Sequence, residues 1–321
     1  MTRLIFAMLS LTVSLVTHAS AADYPDHPIR LIVPTAPGGV NDIVARLVQP
    51  GLTAAFKQPI VIENKSGANN IIGTDFVAKS PPDGYTLVVV PASHSVNPAV
   101  QEKMPFDTEK DLAPVILVGK NAMMFLVNPQ LPPKSLRDFA ALAKANPNKF
   151  SFATPGLASQ AHLVIAQWAA LAGVEATGVP YRGGAPAMLA TISEETQFTV
   201  MSSLLAAPQV QAGKLRALAI GSLQRDPHFP DLPTFSEAGF PGVEAVTWVG
   251  IFAPAGTPRD IIVRLNRELD RIIHDPDMAS KLDKQGIVVD GGPPEVLGRL
   301  VADEIARWTA VAQKNHIKVE R

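Results

Sequence analysis

The chain predicts an α/β fold of two lobes, with mostly parallel sheets flanked by helices and a cleft between the lobes. Three observations carry that expectation. Short apolar runs alternate with longer segments of helical periodicity along nearly the whole chain. Its 321 residues exceed the usual size of one compact domain. Gly and Pro turn signals separate the segments, with no internal repeat and no low-complexity linker.

In chain order, residues 1–22 read as a signal peptide. Arg3 supplies the positive end, Leu4 to Val16 the apolar stretch, and Ala19-Ser20-Ala21 the small-residue site, with cleavage expected near Ala21 or Ala22. The apolar stretch is shorter than the roughly 20 residues of a membrane span. Ile29 to Val33 is then strand and Val40 to Phe56 helix; Ile60 to Glu63 strand, Asn70 to Ala78 helix, and Thr86 to Val90 strand. Short strands are expected near Val115 to Val118 and Phe125 to Val127. Helix Ser135 to Asn146, strand Phe150 to Ala153, helix Ser159 to Leu171, strand Thr177 to Val179 and helix Ala185 to Ile192 follow. Strands Phe198 to Met201 and Arg216 to Ile220 close this stretch. Past Pro230, Thr247 to Ala253 is strand. Arg259 to His274 is helix, with Thr257 as N-cap and Pro258 at the first helical position, ending before Asp275-Pro276. A last helix runs from Pro294 to about Gln313, with Leu297, Leu300, Val301, Ile305, Trp308 and Ala312 on its inner face. The expected division is a first lobe of residues 23–121 and 229–321 and a second of 122–228, joined by two crossings that make a hinge.

Composition narrows the function classes. There is no cysteine, so neither disulfides nor thiol chemistry enter. A formal net charge of −1, spread along the chain, lacks the basic stripe that nucleic acid requires. Aromatics at 6% make a sugar-stacking platform a poor fit. The seven histidines are scattered without a His-Glu-x-x-His pair, so no metal site is expected. No Gly-x-Ser-x-Gly elbow and no carboxylate pair tied by spacing points to catalysis. No cofactor and no catalytic residue are assigned.

The most informative stretch is Pro34-Thr35-Ala36-Pro37-Gly38-Gly39-Val40-Asn41-Asp42, where a strand feeds a Gly-Gly turn that feeds a helix. Glycine lets backbone approach a ligand, and a helix start presents unpaired N–H groups with partial positive charge, the geometry of an anion site. A tight strand-to-helix connection would have the same pattern. The spacing is neither that of a dinucleotide fingerprint nor that of a phosphate loop. Asp42 beside an anion would repel it, so Asp42, with Pro37, is assigned to loop architecture, and Arg46 is placed to pair with Asp42 one turn on.

Further motifs recur in order: Tyr24-Pro25 with Pro28-Ile29-Arg30, Glu63-Asn64-Lys65-Ser66-Gly67-Ala68, Pro82-Asp83-Gly84-Tyr85-Thr86-Leu87, Val179-Pro180-Tyr181-Arg182-Gly183-Gly184, Gly213-Lys214-Leu215-Arg216, Pro233-Thr234 with Glu237-Ala238-Gly239, and Trp248 with Pro254-Ala255-Gly256-Thr257-Pro258. Together with the Gly38-Gly39 turn they resemble the substrate-binding receptors of tripartite tricarboxylate transporters, the Bug or TctC type, over nearly the whole mature chain. The resemblance implies a two-lobed, type II periplasmic-binding-protein-like fold. It implies a monomeric periplasmic receptor that captures a small organic anion, a mono-, di- or tricarboxylate, and hands it to membrane transporter subunits. A sensor subunit of a signalling system, or a periplasmic enzyme on the same scaffold, are the rival readings.

The resemblance also implies two facing ligand loops. The first is the opening turn, with the N–H groups of Gly38, Gly39 and Val40 and the hydroxyl of Thr35. The second is Thr154 to His162, with Gly156 and the Ser159 helix start; Ala158 stands where relatives usually carry glycine. Ser93 follows a strand at its carboxyl end, where open α/β sheets bind ligands, and His94 beside it adds a pH-dependent charge. Arg182 suits bidentate carboxylate contact, with a surface ion pair as the alternative. Ser202, with Ser203, ends a strand and faces the cleft. Trp248 packs at the lobe junction.

Overall fold

The computed structural model describes residues 24–318, so the expected signal peptide lies outside the described residues. The elements run β1 (Ile29–Val33), α1 (Val40–Phe56), β2 (Ile60–Asn64), α2 (Ile71–Ala78), β3 (Thr86–Pro91), α3 (Ser93–Val100), β4 (Leu112–Val127), α4 (Leu136–Lys144), β5 (Ser151–Thr154), α5 (Gln160–Ala172), β6 (Thr177–Pro180), α6 (Gly184–Ile192), β7 (Phe198–Ser202), α7 (Ser203–Gln211), β8 (Arg216–Ile220), β9 (Val246–Pro254), α8 (Arg259–Ile273), α9 (Pro276–Asp283), β10 (Val288–Val289) and α10 (Pro294–Lys314).

The strands join one sheet in the order β2-β1-β3-β9-β4-β7-β5-β6, with β8 and β10 also on β4. The crossover strands are parallel: β1 with β2 and β3, and β5 with β6 and β7. The strands that carry the chain between the two halves are antiparallel to their neighbours. β4 pairs with β9 from Leu112↔Pro254 to Ala122↔Val246, and then with β7 and β8 from Met123 onward. A crossover helix forces parallel strands, whereas a chain that leaves a half and returns runs back beside itself.

Four local readings change. The two short strands expected near Val115 and Phe125 are one strand of 16 residues, kept continuous by register shifts at Pro114/Ile116 and Leu117/Gly119. Ser93 and His94, expected as ligand-facing groups just past a strand end, open helix α3. Helices α7 and α9 were not anticipated; α9 starts at Asp275-Pro276, where the Asp275 carboxylate accepts the N–H groups of Asp277 and Met278. The α8 N-cap is Pro258, and Thr257 instead donates its hydroxyl to the Pro254 carbonyl at 2.7 Å.

Burial follows the periods. In the first half Leu31, Val44, Val48, Ile116, Ile251 and Leu265 share one core cluster. In the second, Phe125 lies between Trp168 and Phe198 at ring separations of 4.7 and 5.3 Å. Helix α10 reaches both halves: Leu297 and Val301 pack with Ile32 and Trp248, while Trp308, Val311 and Ala312 pack with the Phe125 cluster. Leu300 and Ile305, expected on that inner face, are only partly buried, and Glu304 is buried there instead. No helix among the described residues is long and apolar enough to cross a membrane.

Candidate functional site

The β1–α1 turn is built around Asp42. Its carboxylate accepts the Gly38 N–H at 2.9 Å, Arg46 at 2.9 and 3.0 Å, and the Asn64 amide at 3.0 Å. Asn64 also donates to the Thr35 carbonyl at 3.1 Å, which ties the turn to β2. Gly38 has φ +82°, a left-handed conformation that glycine adopts without strain. Two of the expected ligand donors are therefore committed within the turn: the Gly38 N–H to Asp42, and the Gly39 N–H to the Ala36 carbonyl at 3.3 Å. Gly39 is the N-cap, so α1 begins at Val40 with its first-turn N–H groups facing outward from the helix start.

Beside that helix start lies a cavity of about 240 Å³ at the carboxyl ends of β1 and β3 and across β9 and β4. It brings together Thr35, Val40 and Ser202 from the expected set. It adds residues that sequence reading missed, chiefly Asn41, Asn121, Leu204, Thr247, Gln285 and Ile287. Its lining contains one cation, Lys120, and no carboxylate. Asn41 adjoins the Gly-Gly motif and was within reach of that motif's logic. Asn121, Gln285 and Ile287 arrive from distant parts of the chain and carry no local signal.

The other expected residues stand away from this lining. Ser93 accepts the Asn70 amide at 2.7 Å and so braces the start of α2. Ser159 is the N-cap of α5; its hydroxyl accepts the His162 N–H at 3.4 Å, and the His162 ring accepts the Ala158 N–H at 3.2 Å. Ala158 takes φ +55°, the left-handed conformation a glycine would adopt more readily, and its methyl is buried in the core. The Gly156 carbonyl accepts the Thr154 hydroxyl and the Ser159 N–H. Arg182 is exposed, with no ion pair among the described residues. Its turn lies against the Gly156 turn, through Tyr181 N–H to Thr154 carbonyl and Gly183 N–H to Pro155 carbonyl, both at 2.9 Å.

His94 does not carry a charge at a ligand face. It is buried between Phe106 and Phe252, and burial pushes its imidazole down to about 3. The folded protein holds it neutral while the unfolded chain takes up a proton near 6.5, so its contribution to stability is whole above that pH and falls as pH drops toward 3. At pH 5 the loss is about 2 kcal/mol. In His94→Leu this loss is absent. Urea denaturation of both proteins should show their stability difference changing by about 2 kcal/mol between pH 7.5 and 5; a pH-independent difference refutes the assignment.

A larger cavity, about 770 Å³, adjoins the first at β4 and β9, and Lys120 and Trp248 line both. Asn121 and Thr247 line only the smaller one, whereas Ala122 and Val246 line only the larger. Its basic groups are paired: Arg225 with Glu237, Arg307 with Glu244 and Glu304, Lys120 with Asp290. Size alone favours this cavity, but the smaller one has the helix start and the carboxylate-free lining that an anion needs.

The sequence pattern of the tripartite tricarboxylate transporter family receptor matches residues 44–317. The chain is 34% identical to protein BugT of Bordetella pertussis over 324 residues, covering all of this chain and 99% of that protein. Among solved structures it is similar to R. palustris Rpa4515 with adipate (TM-score 0.82, 34% identity, 92% of this chain and 99% of that one). It is likewise similar to MatC of Rhodopseudomonas palustris with bound malate (TM-score 0.78, 34% identity, 90% and 99%). With a match across most of its length, and the mixed α/β fold it shares with its structural neighbours, this chain belongs to the tripartite tricarboxylate transporter receptor family.

Proposed function

We propose that this protein is a periplasmic solute receptor that captures a small organic carboxylate between its lobes and delivers it to the membrane subunits of a tripartite transporter. The observation that carries this is the cavity at the α1 start, whose lining offers neutral donors and one lysine and no acid. Relatives holding adipate and malate in the same fold support the ligand class. The receptor binds its ligand unchanged and performs no chemistry on it. It is exported by the signal peptide over residues 1–22 and acts as a monomer.

Division into lobes belongs to the same reading. Supporting it, β4 exchanges β9 for β7 and β8 after Ala122, and Phe235, Phe240 and Val243 pack with second-half residues, which carries the return crossing on to β9. Closure about β4 and β9 brings the second jaw, Gly156 and Ser159 with Arg182, over a ligand held at Thr35 and Val40.

A thermal-shift screen of mono-, di- and tricarboxylates tests the proposal. At 100 times Kd a true ligand adds about 2.7 kcal/mol by mass action, a rise in Tm of about 5 °C. Gly39→Val should remove that rise with little loss of apo stability, because a Cβ at Gly39 would lie 3.5 Å from the Thr35 hydroxyl and 3.4 Å from the Ala36 carbonyl. If no organic anion raises Tm, the receptor assignment fails; if Gly39→Val responds like the parent, the site lies elsewhere.

A further inference from the structure

We infer that Asn41, with Thr35, contacts the ligand's carboxylate directly, and that the rest of the cavity takes an apolar body, so the site selects small monocarboxylates over dicarboxylates. This rests on the carboxylate reading above and narrows it.

Asn41 is 3% exposed and lines the cavity, yet its amide nitrogen has no partner among the described residues. The same holds for the Thr35 hydroxyl. These are the cavity's only buried unpartnered polar atoms among the described residues. Buried donors are nearly always bonded in native proteins, and leaving one open is costly. Two such donors at the two ends of the β1–α1 turn, Thr35 after β1 and Asn41 in the first turn of α1, beside glycine amides already committed to the turn, mark the place where a ligand's oxygens complete the bonding. The partial positive charge of the α1 start favours an anionic oxygen there.

The sheet order lays the cavity out in line. It begins at Thr35 and Asn41 by β1, passes Pro91 at the end of β3 and Trp248 and Val249 of β9, then Gly119 of β4, and ends at Ser202 and Leu204 by β7. Beyond the first donors the wall is apolar, with Ile287 also lining it. The polar groups at the far end serve each other. Ser202 donates to the Asn121 carbonyl oxygen at 2.6 Å, and the Asn121 amide donates to Ser203 at 3.0 Å and to the Gly286 carbonyl. Lys120 is paired with Asp290 at 3.0 Å. Thr247 and Gln285 are neutral and only half-buried. A second carboxylate would lose its hydration against Leu204, Val249 and Ile287 without a free cation or a buried open donor to replace it.

Hexanoate and adipate test this as a matched pair, since they differ by one carboxylate on the same six-carbon chain. Titration calorimetry on the mature protein should give hexanoate at least tenfold tighter than adipate. Asn41→Leu should weaken hexanoate tenfold or more while its ligand-free Tm stays equal or rises, because a buried open amide is replaced by an apolar group of similar size. Asn41→Asp, which keeps the shape and adds a like charge, should weaken hexanoate at least as far and secures the test if the leucine variant fails to fold. Adipate binding tighter than hexanoate overturns the monocarboxylate selection and leaves the carboxylate reading standing. Parental hexanoate affinity in the Asn41 variants overturns the contact. Failure of every carboxylate to bind overturns both this inference and the function it rests on.

Discussion

Asp42→Ala is expected to lower the free energy of unfolding by about 3 kcal/mol at neutral pH. The carboxylate is buried and accepts hydrogen bonds from the Gly38 backbone, Arg46 and Asn64. Arg46 is 53% exposed, so water screens its share of the charge attraction. The loss lies mainly in the part-buried hydrogen bonds from Gly38 and Asn64, which lose their buried acceptor. With Asn64 released, the link from the turn to β2 through Thr35 loosens too, and carboxylate binding should fall with it. Arg46 first, then Gly38 and Asn64, hold this carboxyl down at about 2, against an ordinary 3.8. Because the folded value is the lower one, the associated stability of about 2 kcal/mol is present above pH 4 and lost as pH falls through 2. Urea midpoints at pH 7 and pH 3 should show the parent approaching the variant at the lower pH. Parental stability in Asp42→Ala at pH 7 would mean that the turn is held by something other than this carboxylate.

Glu304→Ala is expected to cost about 3–5 kcal/mol. Glu304 is 5% exposed on the inner face of α10. One oxygen accepts the Ser95 hydroxyl at 2.5 Å and the Trp248 indole N–H at 2.8 Å, and the other accepts Arg307 at 3.1 Å. It thus joins α10, α3 and β9. Burial pushes its carboxyl up, and the bonds from Ser95, Trp248 and Arg307 only partly offset this. Alanine leaves a void and the buried Trp248 indole N–H unpaired, while the Ser95 hydroxyl keeps the Ala92 carbonyl as acceptor. Glu304→Gln keeps the volume and one acceptor, so its loss should be about 1–2 kcal/mol. Denaturant midpoints of the two variants check the order; an alanine variant within 1 kcal/mol of the parent would show that α10 does not depend on this contact.

These two acids show how far the sequence could be read. Asp42 lies within four residues of its Gly38 and Arg46 partners, and its role in the loop follows from the spacing on a helix start. Glu304 falls among apolar residues on one helix face, and nothing local distinguishes it from a solvated glutamate. Its partners Ser95 and Trp248 lie 209 and 56 positions away. The same distinction separates Thr35 and Val40, found from their motif, from Asn121 and Ile287, which reach the cavity through β4 and the chain after α9.

By itself the sequence determined the strand–turn–helix units, most of their boundaries, the α/β class and the family motifs. Hydrophobic period, Gly and Pro act within a few residues, so a single window contains the whole cause. Only the tertiary structure decided that β4 is one long strand shared by both halves. Only it decided that the Gly38 and Gly39 amides are turned inward while Asn41 and Thr35 keep open donors. Pairing register and hydrogen-bond commitment depend on which distant groups come within about 3 Å, and no local pattern encodes that distance.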